Sequence, residues 1–241
     1  MRLDDLLTRV SAGQYAEART ALSSFSPVPE ELPQAARLAL ELGCPSLSVR
    51  WWQEALAAGT GEDLQVRLGH AAALCRLGAG AAAWHALQPA PLTARVAVLR
   101  ARALSLWSGT QGTDPPGDVL EASGQARDLA RQEGDAAALV AAVTLIAETL
   151  LARGEARAAL HALAEGLKVT EVAGQAADAH LLAVLAHVQM RVGSPRKAQA
   201  TAEKALQRSR PASPARVQAL RALGRLEEAA TEASAGELTG T

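Results

Sequence analysis

The chain has 241 residues, of which 49% are hydrophobic but only 2% aromatic, and its formal net charge is −1. That balance gives no global pull toward nucleic acid or an anionic membrane, and no apolar run of about 18 residues is free of charge, so no membrane-spanning helix is expected. The start, Met1-Arg2-Leu3-Asp4-Asp5, places acids where a secretory signal has a basic end and an apolar stretch, and Cys44 and Cys75 make no disulfide framework, so a cytoplasmic protein is expected.

Roughly a quarter of the residues are alanine, with leucine the other main apolar type. Both lose little side-chain freedom in a helix. Ile146, Phe25 and Tyr15 are the only residues of their kinds. An all-α chain follows. A methyl-sized group contributes only about 0.8 kcal/mol on burial, which suits many close helix contacts rather than one large core. Asparagine is absent and arginine outnumbers lysine 21 to 3, a bias of GC-rich coding that says little about function.

Along the chain, a first helix is predicted at Leu3–Ser11. Glycines then recur at Gly13, Gly43, Gly78, Gly109, Gly154, Gly193 and Gly224, with apolar-periodic stretches on both sides. A glycine between two such stretches supplies the left-handed backbone of a tight turn. Five residues after the glycine stands Ala18, Ser48, Ala83, Ala159, Ala198 or Ala229, and nine after it Leu22, Trp52, Leu87, Leu163, Ala202 or Ala233. Ala55-Leu56 and Ala205-Leu206 follow on the same helix face. Seven residues before the glycine stand Ala36, Ala71, Ala147 and Ala186, on the inward face of each first helix. The fourth unit departs. Five residues after Gly109 is Asp114, and residues 108–117 read as a loop, with the second helix starting near Pro116 and running to Glu133. A last helix is predicted at Leu226–Ala235, and residues 236–241 are expected to be disordered.

This register resembles the tetratricopeptide repeat, with its small residue in the first helix, glycine at the turn, alanine five later and a large apolar residue nine later. Gly13-Gln14-Tyr15-Ala16-Glu17-Ala18, Gly193 through Ala198 to Ala205-Leu206 with Pro211, and Gly224 to Ala229 are the best copies. The longer units resemble arrays of bacterial transcriptional activators, without their DNA- and nucleotide-binding parts. The resemblance implies one all-α superhelix over residues 1–235, a solenoid of about seven hairpins. It further implies a scaffold that takes a peptide or partner segment in its concave groove.

On the family's pattern, groove places lie two, six and thirteen residues before the turn glycine. They fall on Arg37, Glu41, Arg76, Glu148, His180, His187 and Arg191, with Trp107 in the fourth unit. Ordinary solvated surface is the plain alternative for the histidines, and helix C-terminal charge compensation for Arg76 and Arg191. Trp51, Trp52 and Trp84 lie on second helices and are expected in the core. The terminal-carboxylate grip used by chaperone-binding members is not expected, because no asparagine or lysine stands at a groove place.

Residues 191–225 hold nine basic side chains and one acid, Glu203. Beyond Arg191 they are Arg196, Lys197, Lys204, Arg208, Arg210, Arg216, Arg221 and Arg225. Such a segment suits an acidic surface or nucleic acid, yet lacks aromatics for base stacking. A solvated face neutralised by Glu227, Glu228, Glu232 and Glu237 is the alternative. No phosphate loop, nucleophile elbow or metal-ligand spacing occurs, so neither catalysis, a cofactor nor a bound metal is expected. A regulatory sensor that changes pitch on binding a peptide or small ligand is the second functional expectation. The oligomeric state stays open.

Overall fold

The computed structural model describes residues 2–107 and 115–238. Among them are fourteen α-helices, which pair two by two as seven hairpins. The hairpins are α1 Leu3–Ser11 with α2 Tyr15–Leu22, α3 Leu32–Glu41 with α4 Pro45–Ala58, and α5 Asp63–Arg76 with α6 Gly80–Leu87. Then come α7 Ala94–Ser105 with α8 Val119–Glu133, α9 Ala136–Ala152 with α10 Ala156–Val172, α11 Ala179–Arg191 with α12 Pro195–Arg208, and α13 Pro214–Ala222 with α14 Leu226–Ala235. No described residue is in a strand.

The register explains the hairpins. Gly13, Gly43, Gly78, Gly154, Gly193 and Gly224 all have positive φ at the turns. Gly109 lies outside the described residues. The small residues five positions on (Ala18, Ser48, Ala83, Ala159, Ala198 and Ala229) are buried at 0–1% exposure, which lets each second helix lie close against its first. Ser48 is the polar exception, and its hydroxyl donates to the Ala36 carbonyl at 2.8 Å. In the fourth hairpin no glycine is needed to start the second helix. Asp118 does it, its carboxylate accepting the Leu120 and Glu121 amides.

The core is a string of clusters rather than a single centre. Leu6, Leu22, Trp51 and Trp52 anchor the first, across α1–α5. Ala71, Leu87 and Val96 carry it to α7, Ala94 and Val143 to α9, and Leu163, Leu181 and Val184 to α11. Leu182 with Ala219, and Val217 with Ala229, complete it through α14. First helices α3, α5, α7, α9, α11 and α13 also touch one another in succession, so they form the inner wall.

The two ends of the array meet. Arg19 of α2 donates through Nε to the Leu42 carbonyl at 2.8 Å and through a terminal nitrogen to the Ala235 carbonyl at 3.0 Å. Glu41 pairs with Arg210 at 2.6 Å, and the Ser46 amide donates to Glu237 at 3.1 Å. A Cβ on Gly43 would lie 2.8 Å from that of Ala212. Within the expected tail, residues 237 and 238 make contacts. Glu237 is held by Ser46, and Leu238 packs against the last cluster. Residues 239–241 and most of the expected loop, 108–114, lie outside the described residues.

Candidate functional site: the inner wall

On α5 the inward face runs Gln65, Leu68, Gly69, Ala72, residues three and four apart that share one side of the helix. Val98 and Leu99 of α7 and Ala137, Ala138 and Ala141 of α9 continue it. Together they line a cleft of about 380 Å³, with Arg37 of α3 and Arg95 of α7 at its edges. Alanine and glycine at these places leave the space that larger side chains would fill. Trp52 forms part of the floor with 1% exposure, its indole lying where a Cβ on Gly69 would be. Its Nε1–H is buried and finds no acceptor among the described residues.

Beyond the cleft three successive first helices are tied by charge. Glu148 of α9 pairs with Arg102 of α7 and with His180 of α11, the latter at 2.8 Å. A carboxylate only accepts, so His180 Nε2 carries the proton in that contact. Arg102 also only donates, so its 3.5 Å approach to the same nitrogen is no hydrogen bond. Burial by itself would raise the Glu148 pKa. The His180 and Arg102 charges, and the hydrogen bonds both donate, outweigh it and hold the carboxyl at about 2.

The expected groove residues divide into groups. Glu148 and His180 meet on the inner wall. His187 faces α13, where its Nε2 lies 3.0 Å from the Gln218 carbonyl and donates to it. Glu41 is engaged in the end-to-end seam with Arg210. Arg37 lines the cleft. Arg76 stands one helical turn beyond Ala72, half-buried, and burial lowers its pKa. Arg191 lies at the end of α11, beside the Gly154–Ala158 turn of the preceding hairpin. Trp107 follows the end of α7 and faces His85 of α6, ring centroids 6.3 Å apart.

Arg102 is the inner-wall residue that the glycine register misses, because it stands seven residues before Gly109 and so off the groove places. The usable signal is the cap of α7, Thr93, whose side chain accepts the Val96 amide. Counting forward from it puts Arg95 and Arg102 where His180 and His187 stand after the cap Asp178 of α11.

Of the tryptophans, Trp51 and Trp52 are buried, whereas Trp84 is half-buried beneath the Arg100 guanidinium. The basic segment is broken up. Arg216 pairs with Glu232, Arg225 with Glu228 and Arg210 with Glu41, and Arg208 donates to the Ala177 carbonyl. Arg196, Lys197 and Lys204 lie exposed on α12. Among the described residues no group of three or more His, Cys, Asp or Glu side chains is placed to hold a metal, and no helix is long and apolar enough to cross a membrane.

No protein-family model and no curated protein matches the chain. Solved structures do. NprR, in complex with its cognate peptide NprX, is similar at 15% identity over 97% of this chain and 76% of that one, with a TM-score of 0.54. A tetratricopeptide repeat protein from Parabacteroides merdae is similar at 16% identity over 99% of this chain and 92% of that one, with a TM-score of 0.51. Seven stacked hairpins, glycine turns, buried small residues five positions on and these two likenesses agree: the chain has the fold of a tetratricopeptide-type superhelix.

Proposed function

We propose that the chain is an interaction scaffold whose whole helical array serves one purpose, holding a peptide or a partner's segment against the inner wall. The cleft between α3, α5, α7 and α9 carries this reading. Its volume lies within the roughly 300–1,000 Å³ of ordinary ligand pockets. Its walls belong to four helices that pack on one another, so it needs no rearrangement to exist. The similarity to NprR, a structure that holds a peptide, supports the same reading.

A screen of a random peptide library against the chain, with hits mapped by hydrogen exchange, tests it. Hits are expected to slow exchange in α5, α7 and α9. Ala141 is exposed in the cleft, and Ala164 is exposed on the second helix α10. Ala141→Phe fills the cleft and is expected to weaken binding more than about tenfold. Ala164→Phe is expected to leave it unchanged. Protection confined to α6, α8 and α10, or hits indifferent to Ala141→Phe, would overturn the proposal.

A further inference from the structure

Four ionic contacts hold three acids along the inner wall and its edge. Glu148 is held by Arg102 and His180, Asp135 by Arg95, and Glu41 by Arg210. Two arginines at the cleft have no such partner. Arg37 lines the cleft, exposed, and Arg76 continues the cleft face of α5 at half burial. Neither pairs with a carboxylate or donates a hydrogen bond among the described residues. A guanidinium withdrawn from water without a counter-charge is costly. Unpaired positive charge therefore stands at the cleft, on Arg37, and one turn beyond its lining on α5, on Arg76, next to an apolar floor made of Leu68, Ala72, Val98, Leu99 and Ala141.

We infer that the groove takes a peptide segment in which acidic side chains alternate with aliphatic ones, its carboxylates meeting Arg37 and Arg76 while its aliphatic side chains fill the cleft beside them. This rests on the reading of the inner wall as a peptide groove. Charge complementarity selects the acid, because Glu41, Asp135 and Glu148 are already paired and the two arginines are not. The small, apolar lining selects aliphatic over aromatic or polar side chains. A nucleic-acid strand would meet the same arginines, but the tryptophan of the floor is buried at 1% exposure and offers no face for a base.

The test uses the full chain and short fluorescent peptides in which leucine alternates with glutamate, glutamine or lysine, beside a single-stranded oligothymidylate. The leucine–glutamate peptide is expected to bind roughly tenfold tighter than the leucine–glutamine one, as charge-assisted hydrogen bonds require. The lysine peptide is expected to bind weakest, and the glutamate preference to shrink as salt is added. Arg37→Gln and Arg76→Met should each remove most of the preference while sparing the glutamine peptide. Arg76→Met should also keep or raise the thermal midpoint, since it deletes a half-buried unpaired charge, whereas a purely structural arginine would lower it. Should Arg76→Met fail to fold, Arg37→Gln decides alone. Equal binding of the glutamate and glutamine peptides would overturn the inference and leave the groove reading standing. Binding by none of the three would overturn both, and oligothymidylate outcompeting the glutamate peptide would overturn the choice of a peptide.

Discussion

Glu148 finds its partners on two other helices, and that makes it the most informative side chain of the inner wall. Its folded pKa of about 2 lies below the 4.5 of an ordinary glutamate. A depressed carboxylate contributes stability above its unfolded pKa and loses it as pH falls through the folded one. Arg102 and His180 keep 28% and 32% of their side-chain surface exposed, so solvent screening trims the contribution to about 2 kcal/mol. Glu148→Gln should therefore lower the unfolding free energy by about that much near neutral pH. In urea titrations across pH, the gap from the unsubstituted chain should close between 4.5 and about 2. A gap that persists unchanged in acid would mean that packing, not charge, links α7, α9 and α11. Two of the three members of this cluster were legible in the sequence. Glu148 and His180 fall on counted groove places, because α9 and α11 end in ordinary glycine turns. Arg102 did not, because counting back from Gly109 puts the fourth unit's groove place on Trp107 instead.

At the scale of a helix, the decisive variable is what lies opposite a position. Gly69 in α5 and Gly124 in α8 are both helical glycines, and alanine is intrinsically preferred at each by about 1 kcal/mol. Around Gly124 nothing lies within 4 Å of a new Cβ. Around Gly69 the new atom would overlap Trp52, which is packed at 1% exposure and has nowhere to retreat. Gly124→Ala should raise stability by about 1 kcal/mol, while Gly69→Ala should lower it by about 1–2 kcal/mol as overpacking outweighs propensity. Thermal unfolding of the two variants checks this, and a shift of the same sign in both would refute it. The helices themselves were readable, since composition, turn glycines and small residues at fixed offsets all repeat within one hairpin. What those offsets do not carry is which small residue faces a tryptophan and which faces solvent. That depends on the neighbouring hairpin and on the angle at which it stacks.

Across the whole molecule, the seam between the ends sets this array apart from a simple stack. In a linear solenoid each repeat touches only its neighbours, so stability is close to a sum of local terms and damage fades with distance along the chain. Here Arg19 of the first hairpin satisfies the Ala235 carbonyl at the end of the last one, more than two hundred residues away. The seam was invisible in the sequence, because no local pattern records that residues so far apart come together when the superhelix turns. It also holds a strained residue. Ala212 has φ of 56°, a left-handed conformation that alanine rarely adopts, and it is buried at 1% exposure against Gly43. Its amide donates to Glu232, which also pairs with Arg216, so the strain is held by contacts within the last hairpin as well as by the seam. Arg19→Ala removes two donated hydrogen bonds, one to each side of the junction. Hydrogen exchange in the variant should therefore quicken in α13 and α14 as well as around α2, while α7–α9, between the ends, keep their protection. A nearest-neighbour array would show the change only in α1–α4. If α13 and α14 exchange as before, the ends are in contact without being coupled, and the chain behaves as an open solenoid whose termini merely touch.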